Sequence, residues 1–559
     1  KALILHSLTQ NAFTTLIVQT QPGRIMKLRN ILLLTLCIAV VMFIPWLGVT
    51  DFYSKGEPRE AIVAVSMLES GNWVLPESYG SDIAYKPPLL AWLIGVCSVV
   101  LNGGVVNEFT SRLPSALAAC LLLCGTAAVV FRQRGFYRAL VTVVVTATSF
   151  EVMRAAEACR VDMLLAAFTC CGLYAIWAMR RRWWWSLVAV VMLSGAALAK
   201  GPVGVLLPCL AAWIYGLLRG DNFFRVTLSL AAVCVASFAV PALWYYAAYQ
   251  QGGEDFLRLV LEENLGRLTG TMSYDSHVNP WWYNVTSMLA GLLPWTVPAL
   301  MVLFYPSIRR GIKHAWQTRD RGWGLFAVTA FATIFVFYCI PESKRSVYLL
   351  PCYPFAAYGI AWLLIKAGRS PIINWWTVVM GVIGVAAPLV FVAGALGWIP
   401  GLRLAELHWW LWPVAFTPLS LAVWMFMTRD RKEYNISLAM AMTVAVYVAY
   451  NGAFMPMVLN ARSDFEAARV IENTVPEDAP IVGVIEEDSL IRYYSLNFYL
   501  GDRLRRSTTM AEAPDSAWVL TGSAYGTDAF SERDTVMISR RESDTRLPVY
   551  LLSPVRRDK

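Results

Sequence analysis

The chain has 559 residues, of which 57% are hydrophobic, 13% aromatic and only 15% charged, a composition that places it among polytopic membrane proteins. Its eleven cysteines lie mostly in apolar segments and its four histidines are far apart, which excludes a disulfide scaffold or a cysteine-based zinc cluster and gives no histidine-rich metal site. The net charge of +9 fits a positive-inside membrane protein as readily as an anion binder, so it decides little alone.

Residues 1–25 form a mixed segment, and Met26-Lys27-Leu28-Arg29 reads as a basic start, so the preceding residues are taken as an upstream extension. The first apolar segment, Ile31 to Val49, has its cations on the inner flank and delivers the next stretch, Thr50 to Leu90, to the outer face. That stretch carries Lys55, Glu57, Arg59, Glu60 and Lys86. Such charges at a bilayer surface are costly unless they pair or bind something. Glu57-Pro58-Arg59 opens a short amphipathic helix, with Pro at the first turn where its missing N–H does no harm. Lys86 precedes Pro87-Pro88, a stiff bend before the next apolar run.

Pro88 to Val106 and Leu113 to Phe131 are followed by the basic loop Arg132 to Arg138. If both segments crossed, that loop would lie outside, so the Pro88 helix is expected to lie in the outer interface or to be re-entrant. Arg180-Arg181-Arg182, Arg219 and Arg225, Arg309 to Arg321, Lys366 and Arg369, and Arg429 to Lys432 then all fall inside. The result is about 13 transmembrane helices, with the N-terminus inside and the C-terminal region outside. From Asn460 the composition changes: Ser463 to Asn473 reads as a helix, and Ile481–Ile485, Ala517–Leu520, Thr535–Ile538 and Val549–Leu552 as short strands. The expected organisation is therefore an extension (1–25), an all-α polytopic membrane domain (26–459, with an outer loop at 50–112) and a small outer α/β domain (460–559). That last domain has no nucleophile elbow, phosphate loop or metal signature and reads as a structural or gating cap.

The outer ends of different spans gather Glu57, Arg59, Lys86, Arg160, Asp162, Lys200, Glu263, Arg267, His277, Lys344, Arg345 and Tyr348. Arginine forks and lysine point charges at membrane depth suit a lipid-linked phosphate. Carboxylates among them suit a sugar amine, a hydroxyl, a metal or proton transfer. An isolated cation there is more often interfacial snorkelling, but six separate outer sites of the same chemistry weaken that reading for the set.

Glu57-Pro-Arg59, Lys86-Pro-Pro, Arg112-Leu-Pro-Ser115, Arg160-x-Asp162, Glu263-Asn264 through Arg267, His277 with Pro280-Trp-Trp-Tyr283, and Lys344 through Pro351 come in an order that resembles the GT-C membrane glycosyltransferases. Within them the chain is similar to bacterial 4-amino-4-deoxy-L-arabinose lipid A transferases, relatives of the protein O-mannosyltransferases. The resemblance implies an undecaprenyl-phosphate sugar donor, an active site on the periplasmic side of the bacterial inner membrane, and transfer onto a phosphate of lipid A or lipopolysaccharide, with no nucleic-acid partner. It makes Glu57 and Asp162 the catalytic candidates, with Arg59, Lys86, Lys200, Arg267, Lys344 and Arg345 on the donor phosphate. Tyr85, Glu263, His277 and Tyr348 become substrate contacts. No cofactor is required by the residues; a divalent metal, with His277 as ligand, is the open alternative. The chain departs from the family where Gly56 replaces the Asp of an Asp-Glu pair and where Tyr85 replaces a Glu before the Lys. Two rival readings stay open: a protein O-mannosyltransferase-like enzyme, whose hydroxyl acceptor would need a carboxylate base, and a flippase of lipid-linked sugar. A flippase calls for mid-membrane charges and paired repeats, neither of which is evident.

Overall fold

The computed structural model describes residues 27–54, 56–80, 82–266, 278–306, 308, 310, 322–368, 370–399, 406, 408–427, 435–484, 493–522, 533–539 and 549–555. Among these, eight helices are long and apolar enough to cross a bilayer. Two bent pairs, Phe136–Ala147 with Phe150–Ala156 and Tyr283–Gly291 with Thr296–Leu303, and four shorter apolar helices accompany them. The architecture is an all-α membrane body bearing a small C-terminal α/β region, as the sequence led us to expect.

Burial separates central from peripheral helices. Glu108–Arg134 and Val161–Met179 are 67% and 72% buried over their apolar windows, whereas Phe223–Asn264 is only 22% buried. The central pair is rich in small residues; Ala116, Ala119, Ala127, Ala166 and Ala167 are wholly buried, which lets backbones approach closely. The peripheral helices instead expose Leu228, Val235 and Leu243, an apolar surface that suits lipid and not water. Leu89–Asn102 has 14 residues, about 21 Å at ~1.5 Å per residue and short of a ~30 Å hydrocarbon core. It packs between the amphipathic helix Pro58–Ser70 and the start of Glu108–Arg134.

Helix bounds sort the charges into two poles. Asn107 caps Glu108–Arg134 reciprocally with Thr110 (2.9 and 3.0 Å), which fixes Arg112 in the helix's second turn. The same helix ends some 40 Å away (27 residues at ~1.5 Å each) with Arg134, whose Nε donates to the Tyr358 hydroxyl at 3.1 Å. Likewise Val161–Met179 begins beside Arg160 and Asp162 and ends at Arg180, which donates to Tyr215 and pairs with Asp221 at 3.1 Å.

The C-terminal region is a five-stranded mixed sheet in the order β4-β3-β5-β7-β6. The strands are β3 (Ile481–Val484), β4 (Leu504–Ser507), β5 (Trp518–Gly522), β6 (Thr535–Ser539) and β7 (Val549–Leu552). β3 pairs parallel with β4 and β5, while β7 pairs antiparallel with β5 and β6. Helices Phe465–Thr474 and Tyr494–Tyr499 pack on it around Ile471, Ile481, Leu496, Leu504 and Leu551. Strand β4 and the second helix were not expected: Leu-Arg-Arg-Ser lacks an alternating apolar pattern, and its burial is confined to the two ends. In the outer loop, β1 (Glu77–Ser78) and β2 (Asp82–Ile83) make a small hairpin.

That hairpin is clasped by the C-terminal region. The Asp502 carboxylate accepts from the Ser66 hydroxyl (2.7 Å), the Tyr79 amide (3.0 Å) and the Asn497 side chain (2.8 Å). Both Tyr79 (φ 53°) and Asp502 (φ 57°) hold left-handed conformations, which non-glycine residues keep only when neighbours over-determine them. Nearby, Phe52 stacks edge-on with Phe498, and the Tyr499 hydroxyl donates to Glu108 at 2.7 Å.

Candidate active site

The amphipathic helix begins at Pro58 and stops at Gly71, whose φ of 69° suits glycine. Its N-cap is Glu57, 6% exposed. Arg112 Nε and Nη2 donate to the two Glu57 oxygens at 2.8 and 3.2 Å, and the Cys159 amide donates to Oε1 at 2.9 Å. Arg112 also donates to the Leu47 and Thr50 carbonyls and lies over the Phe52 ring. The pair thus joins the end of the first span, the starts of Pro58–Ser70 and Glu108–Arg134, and the turn before Val161. Burial works to raise the Glu57 pKa, but the Arg112 guanidinium, together with the Cys159 amide and the Arg160 charge, holds the carboxyl below its usual range.

One helical turn on, Glu60 Oε1 receives both Lys86 Nζ at 2.6 Å and Arg59 Nη2 at 3.0 Å. Against the upward push of burial, Lys86 and Arg59 lower the Glu60 pKa to about 2. The group keeps one net positive charge in the wall of a cavity of about 350 Å³, which Tyr85 and Asp82 also line. The rest of the wall is largely apolar, with Val63, Met67, Trp73, Leu90, Ala91, Trp92 and Leu259. Tyr494 and Arg506 from the C-terminal region reach the same cavity. An apolar trough with cations in its wall suits a lipid phosphate.

Asp162, in the first turn of its helix, is paired with Lys200 at the C-terminal end of Trp185–Lys200. Lys200 Nζ lies 4.1 Å from the Tyr348 ring centroid. At Gly201, φ is 81° and an added Cβ would stand 2.9 Å from Asn264 Oδ1, so a side chain there would collide with the turn that carries Glu263. The Glu263 charge in turn acts on Lys86.

A second, mostly polar pocket of about 250 Å³ is lined by Arg154, Arg160, Lys344 and Arg345, with Asn279, Tyr283, Ser346 and Val347. Arg154 pairs with Glu151 at 2.6 Å, and Glu151 also accepts from the Ser346 hydroxyl. Lys344 donates to the Asn279 carbonyl at 3.2 Å, holding the 278–283 segment against 342–346.

The fold therefore brings Arg59, Lys86 and Tyr85 to one cavity and Lys344 and Arg345 to another, with Asp162, Lys200, Tyr348 and Glu263 also at this pole. Arg267 and His277 lie outside the described residues. Sequence reasoning did not single out Glu60, Arg112, Glu151 or Arg154 for the site. Glu60 carried a signal in its spacing, three residues after Glu57 and one after Arg59 on a single helix start. Among the described residues, no three His, Cys, Asp or Glu side chains are grouped so as to hold a metal ion.

No protein-family model matches the chain. An uncharacterized protein of Aquifex aeolicus is 24% identical over 66% of this chain and 72% of its own length. The undecaprenyl phosphate-alpha-4-amino-4-deoxy-L-arabinose arabinosyl transferase of Shewanella sediminis is 28% identical over 59% of this chain and 58% of its own. The chain thus spans less than two thirds of that named relative. In three dimensions it is similar to the crystal structure of ArnT from Cupriavidus metallidurans. Bound to undecaprenyl phosphate, that protein superposes with a TM-score of 0.71 at 19% identity, covering 93% of this chain and 97% of the other. Its apo state gives 0.72. The GT-C fold expected from the sequence is the fold of this chain, and its structural likeness to ArnT extends along almost its whole length.

Proposed function

We propose that this chain is a membrane glycosyltransferase that moves 4-amino-4-deoxy-L-arabinose from undecaprenyl phosphate to a phosphate of lipid A at the periplasmic face of the inner membrane. The observation that carries the reading is the cavity beside the amphipathic helix, whose mostly apolar wall holds Arg59 and Lys86 paired with Glu60. The named sequence relatives and the whole-chain structural likeness support the same reaction class.

In the proposed step, a phosphate oxygen of the acceptor attacks the anomeric carbon. The bond from that carbon to the donor oxygen breaks, and its electron pair leaves on undecaprenyl phosphate. The leaving group is already a stable anion, so the main demand is neutralisation of charge that grows on it, the role assigned to Arg59 and Lys86. An anionic acceptor needs no base, only alignment. Asp162, paired with Lys200, is assigned the orientation of the sugar amine or a hydroxyl. Glu57 has its oxygens engaged by Arg112 and the Cys159 amide, and is assigned the anchoring of the loop that carries Arg59.

The test is release of undecaprenyl phosphate by the purified protein, given donor with and without lipid A. Release that requires lipid A is expected. Lys86→Ala should lower turnover at subsaturating donor by roughly ten- to a hundredfold, since a charge-assisted contact is worth about 1.5–3 kcal/mol. Lys86→Arg should recover part of it. Absence of release with any acceptor, together with sugar-lipid translocation in vesicles, would replace the enzyme by a flippase.

A further inference from the structure

We infer that the pocket between Arg154, Arg160, Lys344 and Arg345 is a second anion site, and that it takes the phosphate of the lipid acceptor; the inference builds on the transfer reaction proposed above. Charge is the first observation. Of the four cations, only Arg154 is in a close ion pair among the described residues, while Arg160 and Arg345 feel the Asp162 carboxylate, and Arg160 also Glu57, from a distance. The Arg160 and Arg345 guanidinium groups make no hydrogen bond or ion pair there. Fixed cations facing one small pocket repel one another, and an anion with several acceptor oxygens would complete their hydrogen bonding.

Position is the second. Arg160 lines this pocket, and the next residue, Val161, lines the trough that holds Arg59 and Lys86. The two cavities are therefore lined by adjoining residues of one helix start. A displacement at carbon needs nucleophile and leaving group on opposite sides of the reacting atom. Phosphates seated in neighbouring cavities across one helix start meet that need, with Asp162 at the boundary.

Gly56 is the third. A Cβ at this position would lie 1.9 Å from Arg160 Nη2. Glycine leaves room for the guanidinium and supplies no side-chain carboxylate to neutralise it. The resulting step balances: the acceptor oxygen's lone pair forms the new bond to the anomeric carbon, the bond to the donor oxygen breaks, and no proton has to move. Lys344 and Arg345, grouped with the donor cations on sequence grounds, become acceptor contacts.

Binding to the purified full chain in detergent, measured without any sugar donor, tests the site apart from the transfer reaction. The probes are bis-phosphorylated lipid A, the same lipid dephosphorylated, undecaprenyl phosphate and inorganic phosphate. Dephosphorylation should weaken lipid A binding on the order of tenfold. Arg160→Gln and Arg345→Gln should each cost a similar factor for phosphorylated lipid A while leaving undecaprenyl phosphate within about twofold. Arg59→Gln should do the reverse. Arg160→Lys should keep most binding and serve as the folding control. Equal binding of the two lipid A forms would overturn the inference. So would loss of undecaprenyl phosphate rather than lipid A in the Arg160 and Arg345 variants, which would return the pocket to the donor. Displacement of lipid A by inorganic phosphate at equal concentration would reduce it to a free-phosphate site and also overturn it. If the wild type binds with these contrasts yet transfers no sugar, the transfer reaction fails and the anion site stands.

Discussion

Glu57 and Glu60 stand three residues apart on one helix start, yet they do different work. Glu57 is closed in by Arg112 and a backbone amide, whereas Glu60 faces a cavity and shares one oxygen between two cations. Breaking a buried pair by neutralising one partner leaves a charge unmatched, typically at about 3–5 kcal/mol. Glu57→Gln should therefore lower the thermal midpoint and yield of the protein, and Arg112→Gln should match it. Full stability with turnover lost in Glu57→Gln would instead make Glu57 a reacting group. The sequence placed all these charges in the outer loop because loop and span are legible from hydropathy. It could not tell partner from partner, since Lys86 and Arg112 stand 29 and 55 residues beyond Glu57 and only the tertiary fold decides between them. The grouping of Arg160 with Lys344 and Arg345 was hidden for the same reason, being set by packing between helices far apart in sequence.

Among the elements, the joint between the outer loop and the C-terminal region carries a group that responds to acidity. Asp51 sits there, its amide bonded to Asn460 Oδ1 at 2.9 Å. Burial, and then the Glu108 carboxylate, raise the Asp51 pKa to about 6, against a hydrogen bond from Ser463. The carboxyl thus binds its proton more tightly folded than unfolded, so stability falls as pH rises from about 4 to about 6 and stays level above. Asp51→Asn should remove that slope and raise the thermal midpoint at pH 8; an unchanged slope would move the origin to another group. The strands expected at β3, β5, β6 and β7 were legible from their apolar residues, while β4, with two arginines at its centre, takes its place through parallel pairing with β3. A local pattern cannot report a pairing between separate segments.

For the whole molecule, two charged poles with an apolar belt between them give a definite orientation. In a background without reactive native cysteines, Arg132→Cys should resist a membrane-impermeant thiol reagent applied from the periplasmic side, and Asp515→Cys should react. Arg132 is preferred to its neighbour Gly135, whose φ of 84° disfavours a side chain. Labelling of both from outside would make Leu89–Asn102 a crossing helix. The clasp between Tyr79 and Asp502 joins residues 423 positions apart. At ~5–20 residues per second, a ribosome would deliver Asp502 roughly 20–85 s after Tyr79. For that interval the hairpin beside the trough has no lock, although the helices around it are already being laid into the bilayer. The donor cavity is then completed only after every described membrane span has been made. A chain interrupted before Asp502 would hold nearly every span and still have no finished place for a lipid-linked sugar, so incomplete copies would not compete with complete ones for a scarce carrier.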